Sequence, residues 1–338
     1  MFHAPLIAAT PGLTLAVIAS GQGSAARSAY PGVTIVSDFP SAIRQTGVEL
    51  VVIATPNDTH ASLAEAALRA GKHVVVDKPF TLTSAEARAL TAMAAETGRV
   101  LSVFQNRRWD SDFLGVRREI AAGRVGDVVE VRSEMSRHRP EVRDRWRERA
   151  GPGSGLWYDL GPHLIDQALL LLGPPESIQA DLQVQRRGGS AVDWFQVVLG
   201  YGSTRVVLSS SMLAPDNPPR FLVRGTTGSL IKLRGDVQEG QLARGLQPGT
   251  PGWGVDPDPL IFLASEEQAP VELPAPAGNY LEYYTGVREA VRGSGEPPVT
   301  PAQAVAVMDL IEAGRWSSAE GRVFTLRPTA AARTAWSR

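Results

Sequence analysis

Between residues 13 and 104, short β-branched apolar runs alternate with longer Ala-rich stretches of helical period. Leu13 to Ala19, Val33 to Val36, Leu50 to Ala54, His73 to Val76 and Val100 to Phe104 read as strands. The runs are near-continuously apolar, as parallel strands must be when helices cover both faces of their sheet. Between them, Thr59 to Ala70 and Ser84 to Thr97 carry helical spacing, each opened by a Thr or Ser suited to capping the first N–H groups. Gly71 and Gly98 follow where a helix end calls for a left-handed residue. This alternation predicts βαβ units and a doubly wound α/β domain.

After Phe104 the pattern changes. A polar, basic stretch and a helix from about Asp110 to Ala121 lead into longer alternating runs: Val128 to Ser136, Ser177 to Gln185, Trp194 to Leu199, Arg205 to Ser211, Phe221 to Arg224 and Ser229 to Leu233. Alternation means one face buried and one face wet, so these runs predict an open, mostly antiparallel sheet in an α+β domain. Gly235 to Gly278 is rich in Gly and Pro without periodicity and reads as a long surface excursion. Helices near Tyr280 to Val291 and Pro301 to Ser318 close the chain. The expected division is therefore 1–106 and 107–338. An open sheet with an uncovered face calls for a partner, and a second copy of the chain is the simplest one.

Composition narrows the function. The chain has 338 residues, enough for two domains, with 34 Lys+Arg against 35 Asp+Glu. Near-zero net charge gives no general attraction to nucleic acid or anionic membranes, so neither is expected as a partner. The absence of cysteine excludes disulfides, a catalytic thiol and thiolate metal sites, and five scattered histidines make no transition-metal site. No apolar run is long enough to span a bilayer and no signal peptide is recognised at Met1, so a cytoplasmic protein is expected.

Three clusters bear chemistry. Thr55-Pro56-Asn57-Asp58-Thr59-His60 follows the strand LVVIA, at the carboxyl end where open α/β sheets bind ligands; taken alone it reads more readily as an ordinary strand-to-helix turn, with Thr59 capping the helix. Asp77-Lys78-Pro79 ends the next strand, where a lysine donates charged hydrogen bonds to a substrate oxygen or simply sits in water, and Pro79 invites a cis bond. Third is GSGLWYDLGPHLID, in which Asp159, His163 and Asp166 fall four and three residues apart. If the helix reaches back to Asp159, the three share one face, and a histidine fixed by carboxylates is a good proton acceptor; the plain alternative is a capping Asp and a buried structural His. The basic runs Gln105 to Trp109 and Arg143 to Arg147 each fit a solvated face as well as an anion or nicotinamide site.

The order of TPNDTH, GKHVVVDKPF, SVFQNRRWDSDF, RPEVRDRW and GLWYDLGPHLIDQ resembles the Gfo/Idh/MocA family of nicotinamide-dependent oxidoreductases over nearly the whole chain. It is most similar to the branch of NADP-dependent scyllo-inositol dehydrogenases, with Asp-Lys-Pro in place of the commoner Glu-Lys-Pro. The resemblance implies a Rossmann domain followed by an α/β domain whose sheet builds homodimers or homotetramers. It implies that Lys78, Asp159 and His163 are catalytic, and that Thr55, Pro56, Asn57, His60, Asp77 and Gln105 lie along the cofactor, with Trp146 and Arg147 reaching over the nicotinamide. The substrate it implies is a small sugar or inositol-like polyol.

Two departures from the family pattern matter. Members open with a strand and a glycine-rich turn that holds the pyrophosphate at a helix N-terminus. Here Met1 to Leu6 matches the middle of the following helix, so the first strand of the Rossmann sheet is absent. We expect Met1 to be an internal position of a longer protein, an expectation that an in-frame stop upstream of any glycine-rich segment refutes. If the chain does begin at Met1, the competing expectation is a non-catalytic binding or regulatory protein. Near Ser20 and Gly21, where the adenosine ribose would be held, no acid is present, which favours NADP over NAD as cofactor, with Arg27 the nearest arginine.

Overall fold

The computed structural model describes residues 2–21, 23–328 and 330–336; the expectation placed on Met1 falls outside them. Helix α1 (His3–Ala9) precedes a run of strands and helices: β1 (Val17–Ala19), α2 (Gly23–Ala29), β2 (Thr34–Val36), α3 (Phe39–Ile43), β3 (Leu50–Ile53), α4 (His60–Arg69), β4 (His73–Val76), α5 (Ser84–Thr97) and β5 (Leu101–Val103). All pairings among these strands are parallel. β1 pairs with β2, and β3, β4 and β5 form a separate sheet in that order, so β1 and β3 each have one strand neighbour among the described residues. Val74, Val75, Val76, Leu101 and Val103 are buried on both sides of the pleat, as the continuous apolar runs require.

Local chemistry sets the helix ends. Thr83 accepts from the Glu86 amide while the Glu86 carboxylate takes the Thr83 N–H, closing a capping box at the start of α5. The helix stops at Gly98, whose φ of 63° is left-handed. The first strand begins four residues later than its apolar pattern, because Leu13 follows the Pro11-Gly12 turn and pairing starts only at Val17.

The second unit contains α6 (Ser111–Ala121), β6 (Val128–Glu134), α7 (Gly155–Leu172), β7 (Ser177–Gln183), β8 (Trp194–Tyr201), β9 (Thr204–Ser211), β10 (Phe221–Gly225), β11 (Gly228–Lys232), α8 (Gln238–Ala243), β12 (Leu260–Leu263), β13 (Val271–Leu273), α9 (Leu281–Val291), α10 (Pro301–Glu320), β14 (Phe324–Thr325) and α11 (Ala330–Ala335). Nine strands form one sheet in the order β13-β12-β11-β10-β6-β9-β8-β7-β14. Only β6 and β9 run parallel. Ile178, Ala180, Phe195 and Val197 face the helices, whereas Gln179, Asp181 and Gln196 on the opposite face stay exposed. The last helices return to the first unit: Tyr283 donates to Ser102 at 3.0 Å, and Ser102 to the Val299 carbonyl at 2.9 Å.

The reading of Gly235 to Gly278 as a surface excursion is overturned. This segment contributes α8 and the strands β12 and β13, and Leu260 is fully buried in the sheet. Its anchor is ionic. Lys232 is wholly buried between Asp256 at 3.1 Å and Asp258 at 2.5 Å, and Ser111 donates to Asp256 at 2.6 Å. Short edge strands held by partners far along the chain leave no local period to detect.

Candidate active site

Strands β3, β4 and β5 lie side by side and parallel, so the segments that follow them emerge at one edge of the sheet. After β3, Thr55 and Pro56 are exposed, and Thr55 shares a hydrogen bond of 2.6 Å with Thr59. Asn57 is buried and donates to the Gly153 carbonyl at 2.8 Å, tying this turn to the segment that leads into α7. His60 is also buried. Its ring nitrogens sit 2.8 Å from the Pro79 carbonyl and 3.1 Å from that of Thr55, so it braces the two loops against each other.

After β4, the Lys78–Pro79 bond is cis, as the sequence invited. The Lys78 amide donates to Asp77 at 2.7 Å. Burial alone would raise the Asp77 carboxyl, but His3, 3.5 Å away, and the charges of Lys78 and His60 bring it below its usual range. His3 is a contact sequence reasoning missed. Its ring packs tilted against Phe104, centres 4.3 Å apart, and shares a 2.7 Å hydrogen bond with the Tyr284 hydroxyl, and no local pattern joins residues so far apart. After β5, Gln105 is buried with its side-chain carbonyl oxygen unpartnered. Ser20 follows β1 directly, its N–H donating to the Val36 carbonyl at 3.0 Å, and Arg27 lies exposed on α2.

Helix α7 does reach back past Asp159, with Pro162 inside it. It starts because Gly155 adopts φ +83° directly below the Val192 backbone, where a Cβ would lie 2.9 Å from that carbonyl. Asp159 turns towards Lys78, whose Nζ donates to its carboxylate at 2.8 Å and to its main-chain carbonyl at 2.7 Å. Burial pushes the Asp159 carboxyl up, but the charge and hydrogen bond of Lys78, helped by Arg147 and Arg137, hold it well below the usual carboxylate range. One turn on, His163 is 3% exposed and its Nδ1 is buried without a partner. Burial, then the charges of Lys78, Arg107, Arg220 and Arg137, drive its pKa well below the ordinary value, so it is neutral at pH 7.

Asp166, the third acid of the spacing, takes no part in this arrangement. It is clamped by Arg108 in two hydrogen bonds of 2.7 and 2.8 Å, and Arg108 also reaches the Pro298 carbonyl and Gln303. The expected carboxylate clasp on His163 is therefore replaced by surrounding cations. Arg107 and Arg220 act on the ring through charge alone, disfavouring its protonation, and are themselves held by other partners, Arg107 pairing with Asp110 and Glu239, and Arg220 donating to Ser133 and Gln167. Trp146 and Arg147 stand together, the guanidinium 4.6 Å from the ring centre, and Arg147 shares a narrow cleft with Asp159, Leu156 and Met212. Among the described residues no group of three or more His, Asp or Glu side chains is placed to hold a metal ion, and no helix is long and apolar enough to cross a membrane.

Residues 1–105 match the model of an oxidoreductase family, its NAD-binding Rossmann fold, and residues 117–326 match the same family's C-terminal alpha/beta domain. The chain is 49% identical over 315 residues to the uncharacterized oxidoreductase YdgJ of Escherichia coli, covering 93% of this chain and 91% of that protein. It is 35% identical over 330 residues to IolW of Bacillus subtilis, a scyllo-inositol 2-dehydrogenase (NADP(+)), covering 96% and 92%. A crystal structure from Klebsiella pneumoniae is 46% identical and superposes with a TM-score of 0.92 over 99% of this chain and 94% of that one.

Proposed function

This chain belongs to the Gfo/Idh/MocA family of oxidoreductases, and on that premise we propose that it moves hydride between a nicotinamide dinucleotide and a carbinol of a sugar or cyclic polyol. The observation that carries the reading is the ion pair of Lys78 and Asp159 beside neutral His163, at the edge where β3, β4 and β5 end. Residues 1–106 would hold the cofactor and residues 107–338 the substrate. The fit to a cofactor is supported by the polar turns at three adjacent strand ends and by the unpartnered buried oxygen of Gln105. Thr55, Pro56, Asp77 and Gln105 would line it, Ser20 would meet the adenosine ribose, and Trp146 with Arg147 would cover the nicotinamide. Asn57 and His60 would act there by holding the turn in place, given their backbone partners. The missing acid near Ser20 and the NADP(+) dependence of IolW support NADP over NAD.

Bound there, the nicotinamide supplies the hydride acceptor in oxidation and the donor in reduction. The chain's own groups handle the proton and the charge. In oxidation, His163 takes the hydroxyl proton, at Nε2 because Nδ1 is sealed from solvent. An ammonium has three donors, and Asp159 engages two directions of Lys78, leaving one N–H for the substrate oxygen. That N–H meets the oxygen as negative charge builds on it, where a fixed donor counts most. Asp159 keeps Lys78 aimed.

The exposed face of the nine-stranded sheet supports assembly as a homodimer or homotetramer. The catalytic assignments are tested with Lys78→Met and His163→Asn: each should cut turnover on inositol-like polyols by orders of magnitude while NADPH affinity stays at the wild-type value. Normal turnover in either variant removes that residue from the mechanism.

A further inference from the structure

Arg186 lies in the turn between β7 and β8, its side chain 3% exposed, and it lines the same cleft as Asp159 and Arg147. Its guanidinium is divided between two segments. Nε donates to Asp193 at 2.9 Å within its own turn, and the Gln185 and Arg186 amides donate to that carboxylate as well. Nη1 crosses to the segment before α7. There it faces the Glu148 carboxylate at 2.9 Å and the carbonyls of Glu141 at 3.1 Å and Arg139 at 3.2 Å.

Glu148 is as deeply placed, its side chain 5% exposed, and it closes a single 3₁₀ turn, Trp146–Glu148. The oxygen that Arg186 holds also accepts from the Arg143 amide at 3.0 Å, and the other accepts from Arg145 at 2.6 Å. With the end of so short a turn fixed, Trp146 and Arg147 have little freedom to swing. The turn that carries Arg186 also registers α7. The Val192 carbonyl accepts from the Leu156 amide at 2.6 Å, one turn before Asp159, and the Asp193 carbonyl accepts from the Met212 amide at 3.1 Å. Arg186 thus joins the Trp146–Arg147 turn to the start of the helix that bears Asp159 and His163. An apolar cluster of the same volume would avoid the cost of desolvating these charges, so stability alone does not account for them. What a buried, forked ion pair supplies is a fixed distance between two segments.

We infer that Arg186 is a positioning residue for the nicotinamide: by holding Glu148 it keeps Trp146 and Arg147 at a set distance from Asp159, over the reacting carbinol. It acts through Glu148 rather than on the cofactor itself. The inference rests on the dehydrogenase reading, with Trp146 and Arg147 as the cover of the nicotinamide.

The test is calorimetric binding to the full chain of NADPH and of 2′-phospho-ADP-ribose, the same molecule without its nicotinamide; NADH and ADP-ribose form a second pair. In the wild type, the dinucleotide of at least one pair should bind about five-fold or more tighter than its fragment. Arg186→Met and Glu148→Leu should each bring that ratio to about one while the fragment binds as before, and Arg186→Lys, a single donor centre in place of a fork, should keep part of it. Leu260→Ala, which weakens the sheet at β12, should leave the ratio unchanged. Equal affinity of dinucleotide and fragment in the wild type overturns the inference, as does a ratio that survives Arg186→Met and Glu148→Leu. So does a loss seen only in the arginine variants, which places Arg186 on the cofactor, or an equal loss in Leu260→Ala, which makes the effect one of stability. Should Arg186→Met not fold, Arg186→Lys read against Glu148→Leu decides the same question. Failure of the dehydrogenase reading is distinct: neither dinucleotide nor fragment binds the wild type, and the inference falls with it.

Discussion

Replacing Lys78 by Met removes the charge that holds Asp159 ionised and leaves that carboxylate without its partner. The two groups are 2.8 Å apart, with side chains 15% and 27% exposed. At an effective dielectric of about 20 the attraction is about 6 kcal/mol, most of which is offset by the cost of taking both charges out of water. A coupling of about 1–3 kcal/mol remains, above the roughly 0–1 kcal/mol of a fully exposed pair. Urea unfolding at pH 7.5 of the wild type, Lys78→Met, Asp159→Asn and the double variant measures it directly. The double variant should be more stable than the sum of the single effects predicts, because it carries no orphaned charge, yet its turnover should stay about 10²–10³-fold down with the lost donor. Stability effects that add to within about 0.5 kcal/mol would mean the pair does not form, and the catalytic geometry would fall with it.

Other outcomes follow from the same structure. Because folding lowers the pKa of His163 below its unfolded value of about 6.5, the unfolded chain binds the extra proton between those two values. Stability should therefore decline as pH falls below about 6.5, more steeply in the wild type than in His163→Asn, and the oxidative kcat/KM should fall only below the ordinary histidine range; identical pH profiles for the two proteins contradict the burial argument. Gly155→Ala should cost about 2 kcal/mol or more and depress turnover, since the methyl group meets the Val192 carbonyl at the start of α7. Leu260→Ala should cost about 2–5 kcal/mol in urea unfolding if β12 is part of the core, and almost nothing if that segment were a surface loop.

The elements with a local cause were legible in the chain. β4 and α5 fall at the residues their patterns predicted, because Val74 to Val76 is an unbroken β-branched run and Thr83, Glu86 and Gly98 mark the ends of α5 chemically. Contacts decided across the fold were not. The spacing of Asp159, His163 and Asp166 placed them on one helix, but the partners that sort them, Lys78 and Arg108, lie 81 and 58 residues away. The same is true of Lys232 and its two aspartates, which turn a Gly- and Pro-rich stretch into sheet edge. Thr55, Asp77 and Gln105 come together because parallel strands all deliver their carboxyl ends to one side. The cations around His163 were missed because Arg107 and Arg220 have no spacing relation to it.

The most direct measurement of the central claim is isotope transfer. The protein is incubated with NADPH carrying deuterium at the nicotinamide C4 and a panel of keto-sugars and inososes, and the alcohol products are weighed by mass spectrometry. A product one mass unit heavier, absent in His163→Asn and Lys78→Met, is the predicted result. No deuterium in any alcohol, together with no binding of NADPH by fluorescence, would contradict the account.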